Sequence, residues 1–111
     1  PMFRESSHLR RCLVPASFYF EWGHGPGARV KYELYPERSG IVYLGGLYTI
    51  DASGVPRFVI LTREASPGIA FIHDRMPVVL TRAEAEPWVR DAGFASGVVR
   101  RVPPALVHIR A

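Results

Sequence analysis

Apolar and polar residues alternate with a period of two through most of the chain, and a helical period is visible in only one stretch. Ser17 to Trp22 carries Phe18, Phe20 and Trp22 on one side and Tyr19 and Glu21 on the other, as a strand does. Gly23 to Gly27 reads as a turn, and Val30 to Tyr35 as the returning strand of a hairpin. After a second turn at Pro36 to Gly40, Ile41 to Ile50 is almost wholly apolar and predicts a buried strand. Gly45-Gly46 in its middle predicts a bulge or a close backbone approach. Asp51 to Gly54 turns the chain, and Arg57 to Thr62 is the next strand.

Ala70-Phe71-Ile72 reads as a short buried strand leading into His73-Asp74-Arg75-Met76-Pro77, with Val78 to Leu80 extended beyond it. Thr81 and Glu84 fit a capping box, so a helix is expected to begin there and to end near Gly93. Pro87 within it predicts a kink or a later start. Val98 to Val102 and Leu106 to Ile109 are two more strand candidates. The pattern as a whole predicts a β-rich α+β fold with one clear helix.

Composition sharpens this only in part. The chain has 111 residues, 48% of them hydrophobic and 22% charged, which suits one packed domain. No apolar run reaches the roughly 20 residues of a membrane-spanning helix, and no signal peptide is visible. A cytoplasmic, monomeric protein without membrane contact is expected. The formal charge is +4, and Lys31 is the only lysine, so arginine supplies nearly all the positive charge. Guanidinium forks favour phosphate, a lean toward a polyanionic partner. Cys12 is the single cysteine, so no intrachain disulfide forms.

Three residues carry candidate chemistry. Glu21 sits between Phe20 and Trp22, where apolar surroundings would raise a carboxyl toward neutrality and suit it to acid–base work. An outward, solvated strand residue accounts for it as well. His73 is the side chain most easily poised for proton transfer at neutral pH, with Asp74 beside it to orient the ring; a satisfied core or turn histidine is the plainer reading. Arg75 is placed to clamp phosphate or carboxylate, or to form a surface ion pair. Gly23 to Gly27 lacks the lysine and hydroxyl of a phosphate loop. His8, His24, His73 and His108 have no zinc-site spacing, and no metal or other cofactor is implied. Cys12, in an apolar run, reads as a small hydrophobe.

Two longer stretches are more specific. Arg11-Cys12-Leu13-Val14-Pro15-Ala16-Ser17 followed by Phe20-Glu21-Trp22, and Phe71 to Leu80 around His73-Asp74-Arg75-Met76-Pro77, resemble the signatures of the SRAP (SOS response-associated peptidase, abasic-site processing) family. Tyr43 to Tyr48, Val59 to Ala65 and Pro1 to Ser6 resemble it in the same order. The resemblance implies a partial domain over residues 1–111, with a β-rich barrel or sandwich core.

It also implies a function: capture of abasic sites in single-stranded DNA by a thiazolidine crosslink to an N-terminal cysteine. Glu21 and His73 then match the acid–base pair, Arg75 a phosphate-contacting position, and Trp22 lies beside the glutamate. The family's Met-Cys-Gly-Arg start and Asn-Ala-Arg motif do not occur in these residues. By the family's layout Pro1 falls shortly after the latter, so a C-terminal portion without the nucleophile is expected. Two other readings remain open: a non-enzymatic remnant that binds single-stranded nucleic acid, and an unrelated amidohydrolase with a Glu–His pair.

Overall fold

The apolar run predicted to be buried is the hub of the fold. The computed structural model describes residues 10–23 and 29–111. In chain order its elements are β1 (Arg10–Ala16), β2 (Tyr19–Trp22), β3 (Lys31–Pro36), β4 (Val42–Ile50), β5 (Pro56–Ile60), β6 (Thr62–Glu64), β7 (Arg75–Pro77), β8 (Val79–Leu80), α1 (Arg82–Arg90), α2 (Ala92–Val98) and β9 (Leu106–Arg110). Strand β1 runs antiparallel along one edge of β4, from Arg10 opposite Tyr48 to Ala16 opposite Val42. The other edge is shared: β5 pairs with Gly46 to Ile50, and β8 with Tyr43 and Leu44.

Where those two partners meet, three backbone hydrogen bonds close a triangle. Gly45 N–H donates to the Val78 carbonyl (2.8 Å), Leu61 N–H to the Gly45 carbonyl (3.0 Å), and Val78 N–H to the Leu61 carbonyl (2.8 Å). From this junction β6 and β7 leave as a separate antiparallel pair. A second sheet has the order β2-β3-β9. The sheets are open, and no barrel closes among the described residues.

Strand β4 is apolar on both faces because each face carries its own core, the case in which a strand reads as a continuous run rather than an alternation. Val42 and Leu44 pack with Leu34, Ile69, Ile72, Met76 and Val79. Leu47 faces the other way, toward Leu61, Val78, Leu80, Trp88, Ala95 and Val98. Trp88 is fully buried and donates its indole N–H to the Cys12 carbonyl at 3.0 Å. The expected close approach at the glycine pair is real: a methyl group at Gly45 would lie 2.9 Å from the Trp88 ring, and one at Gly46 would lie 2.5 Å from the Val59 carbonyl oxygen.

The capping box forms as expected. Thr81 Oγ1 accepts from Glu84 N–H at 3.2 Å, and Glu84 Oε1 accepts from Thr81 N–H at 2.9 Å. The helix that follows differs from expectation. It begins at Arg82, so Pro87 does not delay it, and it ends at Arg90 rather than near Gly93. Asp91 terminates α1 and, by accepting from Phe94 N–H at 3.0 Å, caps α2, which places Gly93 inside a second helix. The Arg11 guanidinium satisfies the Trp88 carbonyl at the end of α1 (2.6 Å).

Two expected strands are absent. Val98 closes α2, its side chain is drawn into the Trp88 core, and Val99 to Arg101 form a turn. Ala70-Phe71-Ile72 is also a turn, held by Ile69 N–H to Ser66 and Ile72 N–H to Ile69. Ile69 and Ile72 are buried there without a strand to carry them. No helix of the described residues is long and apolar enough to cross a membrane.

Candidate functional site

Strand β2 pairs with β3 antiparallel, Glu21 opposite Tyr32 and Trp22 opposite Lys31. Gly23 N–H closes the hairpin onto the Val30 carbonyl at 2.8 Å. The loop expected at Gly23 to Gly27 lies mostly outside the described residues, as do His8 and His24. Alternation sends Tyr19, Glu21, Tyr32 and Leu34 to the core-facing side of this sheet, and Leu34 is 1% exposed. Glu21 is accordingly half-buried. Burial, and then the nearby Glu21 carboxylate, push the Tyr19 phenol far above its ordinary value.

The same face leads to His73. Tyr32, the cross-strand neighbour of Glu21, stands edge-on to Phe71 with ring centroids 5.7 Å apart. His108 from β9 completes the cluster, 5.0 Å from Phe71 and 6.0 Å from Tyr32. Gly23 approaches the same turn: a methyl group there would lie 3.6 Å from the Tyr32 ring and 3.9 Å from the Ile72 carbonyl oxygen. The end of β2 and the Ile72–His73 turn are therefore neighbours, although about fifty residues separate them in sequence.

At His73 two partners compete for one atom. Nδ1 accepts the Arg75 backbone N–H at 3.0 Å, and the Asp74 carboxylate lies 3.0 Å from the same nitrogen. The first contact requires a lone pair on Nδ1, so in the neutral tautomer that makes it the proton sits on Nε2. The second attracts only a ring protonated at Nδ1. The Asp74 side chain is 91% exposed, so solvent weakens that attraction, and the backbone bond governs the neutral ring.

Arg75 is exposed at the start of β7, opposite Glu64 of β6. Its Nη2 donates to the Thr62 carbonyl at 2.9 Å and contacts Thr62 Oγ1 at 3.3 Å. These contacts engage one nitrogen of a group with five N–H donors. Trp22 is next to Glu21 only along the chain; its ring occupies the opposite face of the sheet. There it is 43% exposed, with the Arg29 guanidinium 5.2 Å and the Lys31 ammonium 5.8 Å from its centroid. Phe20 shares this face, with Lys31 at 4.0 Å, and Phe18 meets Phe20 at 5.1 Å.

Cys12 lies in mid-strand opposite Gly46, and burial pushes its thiol up, away from nucleophilic use. Among the described residues no group of three His, Cys, Asp or Glu side chains is arranged to hold a metal. Tyr32, Phe71 and His108 are the site neighbours that sequence reading did not single out. Only the alternation of β3 hinted at Tyr32.

Comparison with known proteins gives this arrangement a class. The family model described as "SOS response associated peptidase (SRAP)" matches residues 1–103, and the chain belongs to that family. It is 30% identical over 94 residues to the abasic site processing protein YobE of Bacillus subtilis, which covers 80% of this chain and 43% of that protein. It is 29% identical to YoqW, an abasic site processing protein of the same organism, over 80% of this chain and 42% of that protein. The chain thus spans less than half the length of these curated relatives. An X-ray structure of a protein from Bacteroides thetaiotaomicron aligns with a TM-score of 0.77 at 27% identity, covering 99% of this chain and 53% of that one. A protein from Bordetella bronchiseptica aligns at 0.74 and 20% identity over 92% of this chain and 55% of the other, a likeness of fold.

Proposed function

We propose that this chain supplies the proton-transfer part of a site that captures abasic sites in single-stranded DNA as a covalent crosslink, with Glu21 and His73 as the acid–base pair. One observation carries the reading: Tyr32 and Gly23 join the end of β2 to the turn that holds His73.

The chemistry asks for such a pair. The ring-opened sugar of an abasic residue presents an aldehyde. An aminothiol adds its amine to the carbonyl carbon, loss of water leaves an imine, and the thiol closes a thiazolidine on the same carbon. Aldehyde plus aminothiol gives thiazolidine plus water. The attacking amine must lose a proton and the departing hydroxyl must gain one, so a base and an acid near neutrality accelerate both steps. Glu21, half-buried on the core-facing side of β2, and His73, whose Nδ1 accepts the Arg75 N–H and leaves Nε2 for proton transfer, supply the carboxyl and the imidazole for those roles. Arg75 contacts phosphate and Trp22 stacks on a base. Cys12 is not the nucleophile, because its α-nitrogen is tied into the β1 backbone. The amine and thiol come from another cysteine.

Free cysteine therefore serves as the test reagent. The chain is expected to accelerate thiazolidine formation between free cysteine and an abasic single-stranded oligonucleotide by at least about tenfold. Glu21→Gln and His73→Asn should each remove most of the gain, read as the mass of the DNA product. Without added cysteine no heat-stable protein–DNA adduct should form. Equal rates with and without the protein would sink the reading. The exposed Phe20–Trp22 face with its cations supports a second reading, a non-enzymatic binder of single-stranded nucleic acid. Tight binding without rate enhancement would favour it.

A further inference from the structure

Beside the β6–β7 pair lies an open groove of about 320 Å3, lined by Arg63, Glu64 and Ala65 on one side and by Arg100, Arg101 and Val102 on the other. We propose that this groove is a second nucleic-acid contact, holding backbone phosphates of the strand that flanks the residue processed at Glu21 and His73. The inference rests on the function proposed above and adds the path of the flanking strand.

Three features argue for it. The first is charge: three arginines and one acid, Glu64, line the groove, and Glu64 lies opposite Arg75 in the β6–β7 ladder. Glu84, outside the lining, is 3.9 Å from Arg101 and also accepts from Thr81 N–H through its other oxygen. The second is order. Arg63 Nη1 donates to the Arg101 carbonyl at 2.6 Å, which ties the two walls together. Arg100 and Arg101 sit in a turn held by N–H bonds to Gly97 and Val98, and the Arg101 guanidinium lies 5.0 Å over the Phe94 ring. The Arg63 side chain and the turn that carries Arg100 and Arg101 are therefore held before any ligand arrives, which lowers the entropy cost of binding. The third is position. Ala65 N–H donates to the Asp74 carbonyl at 2.9 Å, so a wall of the groove is bonded directly to the residue after His73. An open, arginine-lined groove bonded to the turn that carries His73 suits a repeating polyanion better than one small anion.

The test is binding of fluorescent single-stranded oligonucleotides, each with a central tetrahydrofuran abasic analogue, by the full 111-residue chain. Arg100→Ser and Arg101→Ser should each weaken binding of an oligonucleotide of about fifteen nucleotides by about 3- to 10-fold, and should make the salt dependence shallower by about 0.7 per lost phosphate contact. Binding of an oligonucleotide of about five nucleotides, too short to reach the groove, should change by less than about twofold. Arg90→Ser removes the same charge from the exposed face of α1 and serves as control. Arg100 is exposed, so an unchanged melting curve for its variant ensures that a loss of binding is not a loss of fold. Equal weakening by Arg90→Ser and Arg100→Ser, or no length dependence, would overturn the groove. Wild-type binding that both groove variants leave intact would overturn the groove alone. Failure of the wild type to bind either oligonucleotide would overturn the proposed function with it.

Discussion

Tyr32 and Phe71 meet edge-on, with ring planes at 89°, and this contact ties Glu21's hairpin to His73's turn. Phe71 is 59% exposed, so its removal sacrifices little burial. An aromatic pair of this kind contributes about 0.5–1.5 kcal/mol beyond area. Phe71→Ala should therefore leave the melting temperature within a few degrees, about 5 °C at most, of wild type. It should nevertheless slow the cysteine-dependent capture of abasic DNA by about 3- to 10-fold, because the turn that carries His73 loses its ring contact with Tyr32. An undiminished rate would show that the aromatic cluster does not position the site.

The glycine pair in β4 allows a sharper test of packing. Gly45→Ala sets a methyl group 2.9 Å from the Trp88 ring and 3.1 Å from Val78 Cγ1. Those are side chains, but both are buried in a filled core, so a cost of about 1–3 kcal/mol is expected. Gly46→Ala meets the Val59 carbonyl oxygen at 2.5 Å, and backbone in a paired strand gives way less readily. Gly46→Ala should be the more destabilising of the two in urea unfolding. The reverse order would mean that β5 yields more easily than the Trp88 core.

Much of this was legible in the chain, and the reasons differ from element to element. The β2–β3 hairpin, β4 and the capping box follow from local signals: alternation, a run apolar on both faces, and a Thr–Glu spacing. The second helix was hidden because Asp91 serves two helices at once, so Gly93 looked like a terminator. The β-branched Val98-Val99 pair suggests a strand, but burial of Val98 against the Trp88 cluster overrides that preference. At the site, Glu21 and His73 were visible as residue types in recognisable motifs. Their surroundings were not, because β9 pairs with β3 from more than seventy residues away and brings His108 to Tyr32 and Phe71.

The α1 cap can be weighed separately. Thr81→Ala removes the hydroxyl that accepts from Glu84 N–H, while the backbone N–H of residue 81 still donates to the Glu84 carboxylate. A loss of about 1 kcal/mol, or about 5 °C in melting temperature, is expected. Thr81→Ser keeps the acceptor and should recover most of it. If alanine and serine lose equally, the threonine methyl rather than the cap contributes the stability.

Asp51 makes the β4–β5 turn sensitive to acid. Its carboxylate accepts from Val55 N–H at 3.0 Å and from Ser53 N–H at 2.9 Å, and Arg57 Nε donates to it at 3.1 Å. The backbone bond from Val55, then the Arg57 bond, hold the carboxyl below its ordinary value. All three donors favour the charged form, so the folded state binds this proton less readily than the unfolded chain does. The resulting stability is fully present above the unfolded value of about 3.9 and is lost as pH falls through the lower folded value. Asp51→Asn cannot titrate, so the stability gap between wild type and variant should hold from neutral pH down to about 5 and narrow below about 4. Denaturant unfolding at several pH values measures that gap. A gap that widens on acidification would mean that the turn stabilises the protonated carboxyl, contrary to the three donors around it.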